Sequence, residues 1–172
     1  PDIMTMAKGV ANGMPLGVCI ATPEIADSFK SMTISTFGGN PMSAAAANAT
    51  LQVIEEEKLA DNSETMGRLL RAGLEDLQKQ FPRMIGDVRG KGLFLGAELV
   101  ADRDSREPAD EKMVQAVVGH CMKQAVIIGA TNRSLTGFNN TLCLSPALIA
   151  TADDIDAITD AIDGALGRVF GG

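Results

Sequence analysis

Apolar residues recur at helical spacing along much of the chain. The clearest run predicts a helix from Asp61 to Phe81, and Pro82 ends it. The residues expected on its inner face are Met66, Leu69, Leu70, Leu74 and Leu77. Another helix is predicted from Asp110 to Gln124. A last helix begins at the capping box of Thr151 and Asp154 and is expected to bury Ile155, Ile158, Ile162 and Val169.

Short apolar runs between these helices predict strands. At the start, Asp2 to Ala21 is interpreted as a strand, a glycine-punctuated turn and a second, buried strand from Leu16 to Ala21. Later strands are predicted at 86–92, 93–100, 126–129 and 141–145. Helices should begin at Thr22-Pro23 and Asn40-Pro41, because proline suits the first helical position behind a capping residue. We therefore expect an α/β fold, with mixed strands in the second half.

Composition and charge exclude several classes of function. The 172 residues are 45% hydrophobic and 3% aromatic, with a formal net charge of −7. Lysine and arginine do not cluster as phosphate backbones would require, so we expect no nucleic-acid partner. The apolar runs are too short to span a bilayer, so we expect no membrane partner.

The cysteines and the single histidine limit the possible metal and redox chemistry. Cys19, Cys121 and Cys143 are odd in number and widely spaced, which favours partly buried free thiols in a reducing compartment. His120 is the only histidine and lies in a predicted helix, so we expect no metal site. A cytoplasmic protein is the expectation.

Lys8 is the first candidate for chemistry. It follows the apolar residues Ile3, Met4 and Met6 and precedes a glycine-rich turn, so it is expected at a strand end, where α/β sheets bind ligands. A lysine amine that is desolvated there can attack an aldehyde carbonyl. A solvated surface lysine is the alternative interpretation.

Two glycine-rich segments are candidates for binding an anion. In the segment from Thr36 to Pro41 the glycines leave the backbone open, Thr36 offers a hydroxyl and an amide, and a helix N-terminus follows. An ordinary capped helix start is the alternative. The glycines between Gly90 and Gly96 precede a strand instead of opening a helix, so a tight entry into an edge strand is expected there.

Arg133 is the candidate for binding a carboxylate. It lies in the polar loop from Thr131 to Asn140, and a guanidinium on a loop suits bidentate capture of a carboxylate. A solvated loop residue is the alternative.

Together these segments resemble the class III aminotransferases, which have fold type I and use pyridoxal 5'-phosphate (PLP). PDIMTMAKG at 1–9 and GMPLG at 13–17 are similar to the stretch around the family's cofactor lysine. STFGGNP at 35–41 is similar to its TFGGNP motif, and GDVRGKGL at 86–93 is similar to the strand that opens its C-terminal domain. LSPALI at 144–149 resembles its late PPL segment, with Ala147 in place of the second proline.

The resemblance implies a fold and a set of roles. The chain would hold the end of the PLP-binding large domain, 1–53, and the complete small C-terminal α/β domain, 54–172. Lys8 would be the Schiff-base lysine and proton shuttle. Thr36 would bind the cofactor phosphate of the neighbouring subunit, which implies a homodimer with shared active sites. The likeness to the alanine–glyoxylate and ω-amino acid–pyruvate group implies transfer of an amino group from an amino acid or ω-amine to pyruvate or glyoxylate.

The departures from the family pattern bear on the substrate. Some members carry an arginine where this chain has Cys143, and others place a movable arginine upstream in the same loop, which leaves Arg133 as the candidate. The family's ring-binding aspartate, stacking aromatic residue and phosphate loop are expected upstream of Pro1, so these 172 residues alone should be inactive. A same-fold aminomutase, epimerase or lyase is one alternative. An inactive fragment or dimerisation module is another.

Overall fold

The chain divides into two compact units. A computed structural model describes residues 1–133 and 135–170, and the units are Pro1–Leu59 and a second one that begins at Ala60. The boundary between residues 53 and 54 concerns the family's two domains and stays a prediction. Among the described residues, no helix has both the length and the apolar character needed to cross a membrane.

The first unit opens with a two-stranded ribbon. Strands β1 (Ile3–Met6) and β2 (Val18–Ala21) pair antiparallel, and the 3-10 helix Lys8–Ala11 lies between them in the sequence. The predicted order of strand, turn and strand is confirmed. The prediction that the second strand is buried is wrong, because 54% of Ile20 remains exposed on this ribbon.

Helices α1 (Pro23–Ser28) and α2 (Pro41–Glu56) complete this unit. Both begin at the predicted proline. Asn40 caps α2, since its side-chain oxygen accepts a hydrogen bond from the Ser43 amide at 3.0 Å. The side chain of Thr22 makes no capping bond to α1, so that expected cap is absent.

The second unit is an antiparallel sheet covered by helices on one face. Its helices are α3 (Leu59–Gln80), α4 (Glu111–Lys123) and α5 (Ala152–Phe170). Its strands are β3 (Ile85–Lys91), β4 (Phe94–Asp102), β5 (Glu107–Pro108), β6 (Gly129–Ala130) and β7 (Thr141–Leu144). The order is β3-β4-β7-β6, with β5 beside β4.

This topology corrects several expectations. Every strand pair among the described residues is antiparallel, so the prediction of mixed strands is wrong. Strand β4 lies between β3 and β7, so the glycines before it form the turn of a hairpin into an interior strand, not the entry to an edge strand. The strand predicted at 126–129 is shorter and later, at Gly129–Ala130.

The core lies between the sheet and its helices. Strand β4 contributes alternate residues, Leu95, Ala97 and Leu99, and the helices contribute further buried side chains, among them Leu70, Leu74, Val114, Val117, Ile162 and Leu166. Alternation places Gly96 and Glu98 on the opposite face of the sheet. Leu69, expected on the inner face of α3, is 46% exposed, because its position lies at the edge of the apolar stripe.

Candidate functional site

Lys8 lies at the end of β1 in a strained backbone conformation. It is the first residue of the 3-10 helix, its φ is +55°, and its side chain is exposed. A residue other than glycine in the left-handed region costs about 1–2 kcal/mol. Such strain persists only where the surrounding structure determines the conformation, and it clusters at functional sites. The structure therefore presents the Lys8 amine at the strand end where the sequence predicted it.

Thr36 lies in the exposed loop that precedes α2. In this loop the Gly38 amide donates to the Ser35 carbonyl oxygen at 3.4 Å, and Gly39 has a φ of +67°, which favours glycine. The helix end offers less to an anion than the sequence suggested, because Pro41 has no N–H and Asn40 already bonds the amide of Ser43. Within the described chain, the hydroxyl and amide of Thr36 make no hydrogen bond, so both are free to donate to a ligand.

The first unit holds two of the three predicted site residues. The 3-10 helix that begins at Lys8 packs against α2, whose small side chains Ser43 and Ala47 are buried together with Ala11. This packing fixes the element that starts at Lys8 beside the helix that follows the Thr36 loop. No hydrogen bond joins Lys8 to Thr36, and Arg133 belongs to the second unit.

Arg133 lies in an exposed loop whose base is closed. The Thr131 amide donates to the Thr141 carbonyl oxygen at 2.9 Å, and the Thr141 amide donates to the Thr131 hydroxyl at 3.2 Å. Within residues 1–133 and 135–170, the Arg133 guanidinium makes neither a hydrogen bond nor an ion pair. Its charge is therefore open to an anionic ligand.

The uncovered face of the sheet carries a row of four aligned positions. Arg89 pairs with Gly96, Gly96 with Cys143, and Cys143 with Gly129 across neighbouring strands. The partly buried Cys143 thus lies between two residues without side chains. It also borders a cavity of about 270 Å³ with the apolar residues Ile128 and Leu144. This place provides no cation for a substrate carboxylate.

Arg89 is the cation of this row, but its charge is already neutralised. Its guanidinium bonds Asp87 at 2.9 Å and Glu98 at 2.6 Å, and it also donates to the Thr141 hydroxyl at 3.3 Å. The hydrogen bonds to Asp87 and Glu98 raise the pKa of Arg89 above its usual range, and the bond to Asp87 has the larger effect. Two carboxylates around one guanidinium leave no net positive charge for a further anion.

Glu111 makes a contact that was not predicted from the sequence. One of its carboxylate oxygens accepts hydrogen bonds from the Gly137 amide at 2.8 Å and from the Asn139 side-chain amide at 3.0 Å. These bonds lower the pKa of Glu111, and the bond from Gly137 has the larger effect. An acid in the first turn of a helix is explained by the helix dipole alone, so nothing in the local sequence signals this contact.

The three thiols differ in their burial. All three cysteines are free: Cys121 is buried, Cys143 is partly buried, and Cys19 is exposed, contrary to expectation. Burial raises the pKa of Cys121 and makes its thiol less reactive. Within the described residues, His, Cys, Asp and Glu side chains form no group of three that could hold a metal ion.

Comparison with known proteins places the chain among transaminases. It is 58% identical to the hypotaurine/taurine–pyruvate aminotransferase of Paracoccus denitrificans, over 99% of this chain and 39% of that protein. It is 37% identical to the mitochondrial alanine–glyoxylate aminotransferase 2 of Homo sapiens, over 96% of this chain and 32% of that protein. The chain therefore spans about two fifths or less of the length of these relatives.

Solved structures agree. A Bacillus anthracis aminotransferase superposes with a TM-score of 0.92 at 37% identity, over 98% of this chain and 39% of that one. An amine transaminase from an uncultivated Pseudomonas species, solved in its PLP-bound form, gives a TM-score of 0.87 at 30% identity, over 98% of this chain and 39% of that one. The predicted fold class, fold type I of the PLP-dependent transferases, is confirmed. Since residues 1–166 match the family described as aminotransferase class-III, the chain belongs to the class III aminotransferases.

Proposed function

We propose that the whole protein is a PLP-dependent transaminase that moves the amino group of an ω-amino acid, such as taurine, to pyruvate. The observation that carries the proposal is the position of Lys8, an exposed amine at the end of β1 on a backbone held at φ +55°. The 58% identity to a hypotaurine/taurine–pyruvate aminotransferase supports the choice of donor and acceptor. Glyoxylate, the acceptor named for the human relative, is the second acceptor to test.

The donor groups present in the chain fit PLP. The cofactor carries an aldehyde and a phosphate, and the chain offers an amine at Lys8 and a hydroxyl with a free amide at Thr36. Gly39 has a φ of +67°, and a side-chain carbon added there would meet no atom within 4 Å, so this loop leaves space for a phosphate. The proposed cofactor is therefore PLP, with Lys8 at its aldehyde and Thr36 at a phosphate.

Each residue has a defined task in this proposal. When bound, PLP supplies the electron sink that stabilises negative charge on the carbon bearing the substrate amine. Lys8 would hold the cofactor through its aldehyde, and its free Nζ would accept the proton from the carbon that bears the substrate amine. Arg133 on its loop binds the acidic group of the donor through the guanidinium. Cys143 carries no positive charge that could bind this group instead, and Arg89 is already paired with Asp87 and Glu98.

The proposal includes a homodimer with shared active sites. Around Thr36, large apolar side chains are almost fully exposed, namely Met32 at 97%, Ile34 at 96% and Phe37 at 81%. An exposed apolar group of this size marks a surface that is covered in the assembled protein, and burial of each side chain contributes about 1.5–3 kcal/mol. A second copy is the proposed occupant, because it would bring Thr36 to the cofactor of its neighbour. The free cysteines agree with the cytoplasm as the proposed compartment.

The first experiment asks whether Lys8 holds the cofactor. The full-length protein loaded with PLP is reduced with borohydride, digested and examined by mass spectrometry for a peptide that carries the cofactor on Lys8. Lys8→Ala should lose this adduct and the visible absorbance band. Lys58→Ala is the matched control, because Lys58 is also exposed and also has a left-handed φ, +52°. Retention of the adduct in Lys8→Ala contradicts the proposal.

The second experiment separates transfer from the other reactions of this fold. The full-length protein is incubated with taurine or β-alanine and with pyruvate or glyoxylate, and formation of alanine or glycine is measured. Amino transfer supports the proposal. Cofactor bound at Lys8 without amino transfer to either acceptor favours an aminomutase, epimerase or lyase.

Sedimentation of Phe37→Asp tests the proposed dimer, which this variant should weaken. An unchanged dimer would argue against the surface around Thr36 as the dimer interface.

A further inference from the structure

The loop that carries Arg133 is anchored at its base and on its C-terminal side. Its C-terminal side is fixed by Asn140, which is 4% exposed, donates from its side chain to the Leu99 carbonyl oxygen at 2.6 Å and accepts the Leu99 amide at 2.8 Å. Thr131 and Thr141 close the base. Arg133, near the N-terminal side, makes no hydrogen bond or ion pair with any other described residue. The loop therefore combines an anchored side with a free cationic side chain.

Glu111 supplies the anchor at the outer part of this loop. Glu111 is the first residue of α4, and the residue as a whole is partly buried. It holds the Gly137 amide at 2.8 Å and the Asn139 side-chain amide at 3.0 Å, which lie beyond the closed base of the loop. Gly137 has a φ of +87°, which only glycine adopts without strain, so the local backbone is shaped for this contact. Hydrogen bonds to a charged acceptor are about twice as strong as neutral ones.

The chain around Glu111 excludes a simpler explanation of this contact. Helix α4 already has its cap, because the Asp110 side chain accepts the Lys112 amide at 2.7 Å. Glu111 is therefore not needed to satisfy the start of the helix. Its hydrogen bonds run to a loop 26 and 28 residues further along the chain, so the contact is tertiary.

We propose that Glu111 is a positioning residue for substrate binding: it fixes the loop on which Arg133 meets the acidic group of the amino donor. This inference rests on the proposed function, in which Arg133 binds that group. Glu111 itself touches neither substrate nor cofactor. Its removal leaves the Arg133 charge in place but lets the loop move. Binding of a donor with an acidic group therefore weakens, while the reaction of an amine without such a group is unchanged.

The anchor is tested first, without reference to activity. Hydrogen exchange of the full-length, PLP-loaded protein is followed in peptides that cover 135–140, for wild type, Glu111→Ala, Glu111→Gln and Asp153→Asn. Glu111→Ala should exchange at least about tenfold faster there, because the Gly137 amide loses its acceptor. Glu111→Gln keeps an acceptor oxygen and should fall between. Asp153 is an acid in the first turn of α5 with no side-chain hydrogen bond in the described chain, so its variant should match wild type.

The positioning role is tested with two amino donors. Conversion of the bound cofactor is followed spectroscopically with taurine and with butylamine, an amine that lacks an acidic group. Glu111→Ala should raise the half-saturating taurine concentration about fivefold and leave that of butylamine unchanged, with Glu111→Gln closer to wild type. Arg133→Ala should show the same split more strongly.

Each result decides a different point. Unchanged exchange in Glu111→Ala overturns the anchor, whether or not the protein is a transaminase. Faster exchange with no split between the donors, while Arg133→Ala does split them, overturns the positioning role alone. If Arg133→Ala affects taurine and butylamine equally, the role of Arg133 in the proposed function is refuted, and with it the positioning role of Glu111. The contact between Glu111 and the loop is then judged by the hydrogen-exchange result alone.

Discussion

Replacement of Gly67 by alanine should disrupt the approach of helix α3 to the β3–β4 hairpin. A side-chain carbon at Gly67 would lie 2.3 Å from both the carbonyl carbon and the oxygen of Gly92. It would also lie 2.6 Å from the Gly92 Cα, so its three nearest atoms all belong to the main chain. The same turn is tied to α3 by the Leu93 amide, which donates to the Ser63 hydroxyl at 3.2 Å. The hairpin therefore has little freedom to withdraw.

The magnitude follows from the size of this overlap. Carbon atoms pack at about 3.5–4.0 Å, so the added carbon lies more than 1 Å inside contact distance. Overpacking of this kind costs about 1–3 kcal/mol, and an overlap with main-chain atoms belongs at the upper end. Alanine recovers about 1 kcal/mol over glycine in a helix, which leaves a net loss of about 2 kcal/mol. With a urea m-value of about 2 kcal/mol per molar, the unfolding midpoint should fall by about 1 M.

Urea unfolding followed by circular dichroism measures this midpoint. Gly119→Ala is the matched control, because Gly119 also lies inside a helix, α4, but an added carbon there meets no atom within 4 Å. That variant should be stabilised by about 0.5–1 kcal/mol through helix propensity alone. If Gly67→Ala were as stable as Gly119→Ala, the close approach of α3 and the hairpin would be wrong.

Two further predictions concern Asp154 and Cys121. Hydrogen bonds from the Thr151 amide and, with a smaller effect, from the Thr151 hydroxyl lower the pKa of Asp154. The ionised Asp154 side chain therefore contributes its full stability above the unfolded-state pKa of about 3.9. This contribution is lost as the pH falls through the lower folded-state pKa. Asp154→Asn should therefore lower the urea midpoint at pH 7 more than at pH 3, with Asp153→Asn as the control, and an equal effect at both pH values contradicts the capping box. Cys121 is buried, and its thiol donates to the Ala161 carbonyl oxygen at 3.5 Å. Burial also raises the pKa of this thiol, so iodoacetamide at pH 8 should leave Cys121 unmodified until urea unfolds the protein. Labelling of Cys121 in the folded protein would refute its burial.

Features that depend on a few neighbouring residues were predictable from the sequence. The capping box of Thr151 and Asp154 forms with bonds of 2.8 Å, and Asn40 caps α2 as its position before Pro41 predicted. Helix α3 runs within two residues of its predicted span, because an apolar stripe of helical period and a following proline are both local signals. Family membership followed from motifs of the same local kind around Lys8 and Thr36.

Features that depend on distant residues were decided by the tertiary structure. The sequence did not reveal that β4 is an interior strand, because strand order depends on which segments meet after the loops close. Periodicity placed Leu69 inside, but the width of the covered stripe depends on the elements that pack against α3.

The same limit applies to the candidate site. Arg89 and Arg133 are both loop or strand arginines in the sequence, and only the register of β3 and β4 shows that Asp87 and Glu98 neutralise the first. Glu111 and Gly137 are far apart in the chain, and no local pattern brings a helix-start acid to a loop amide. The sequence by itself determined the family, the helices, and the caps at Asn40 and Thr151. Packing and register decided which charges remain free, because a charge is free or paired according to neighbours that only folding brings within about 4 Å.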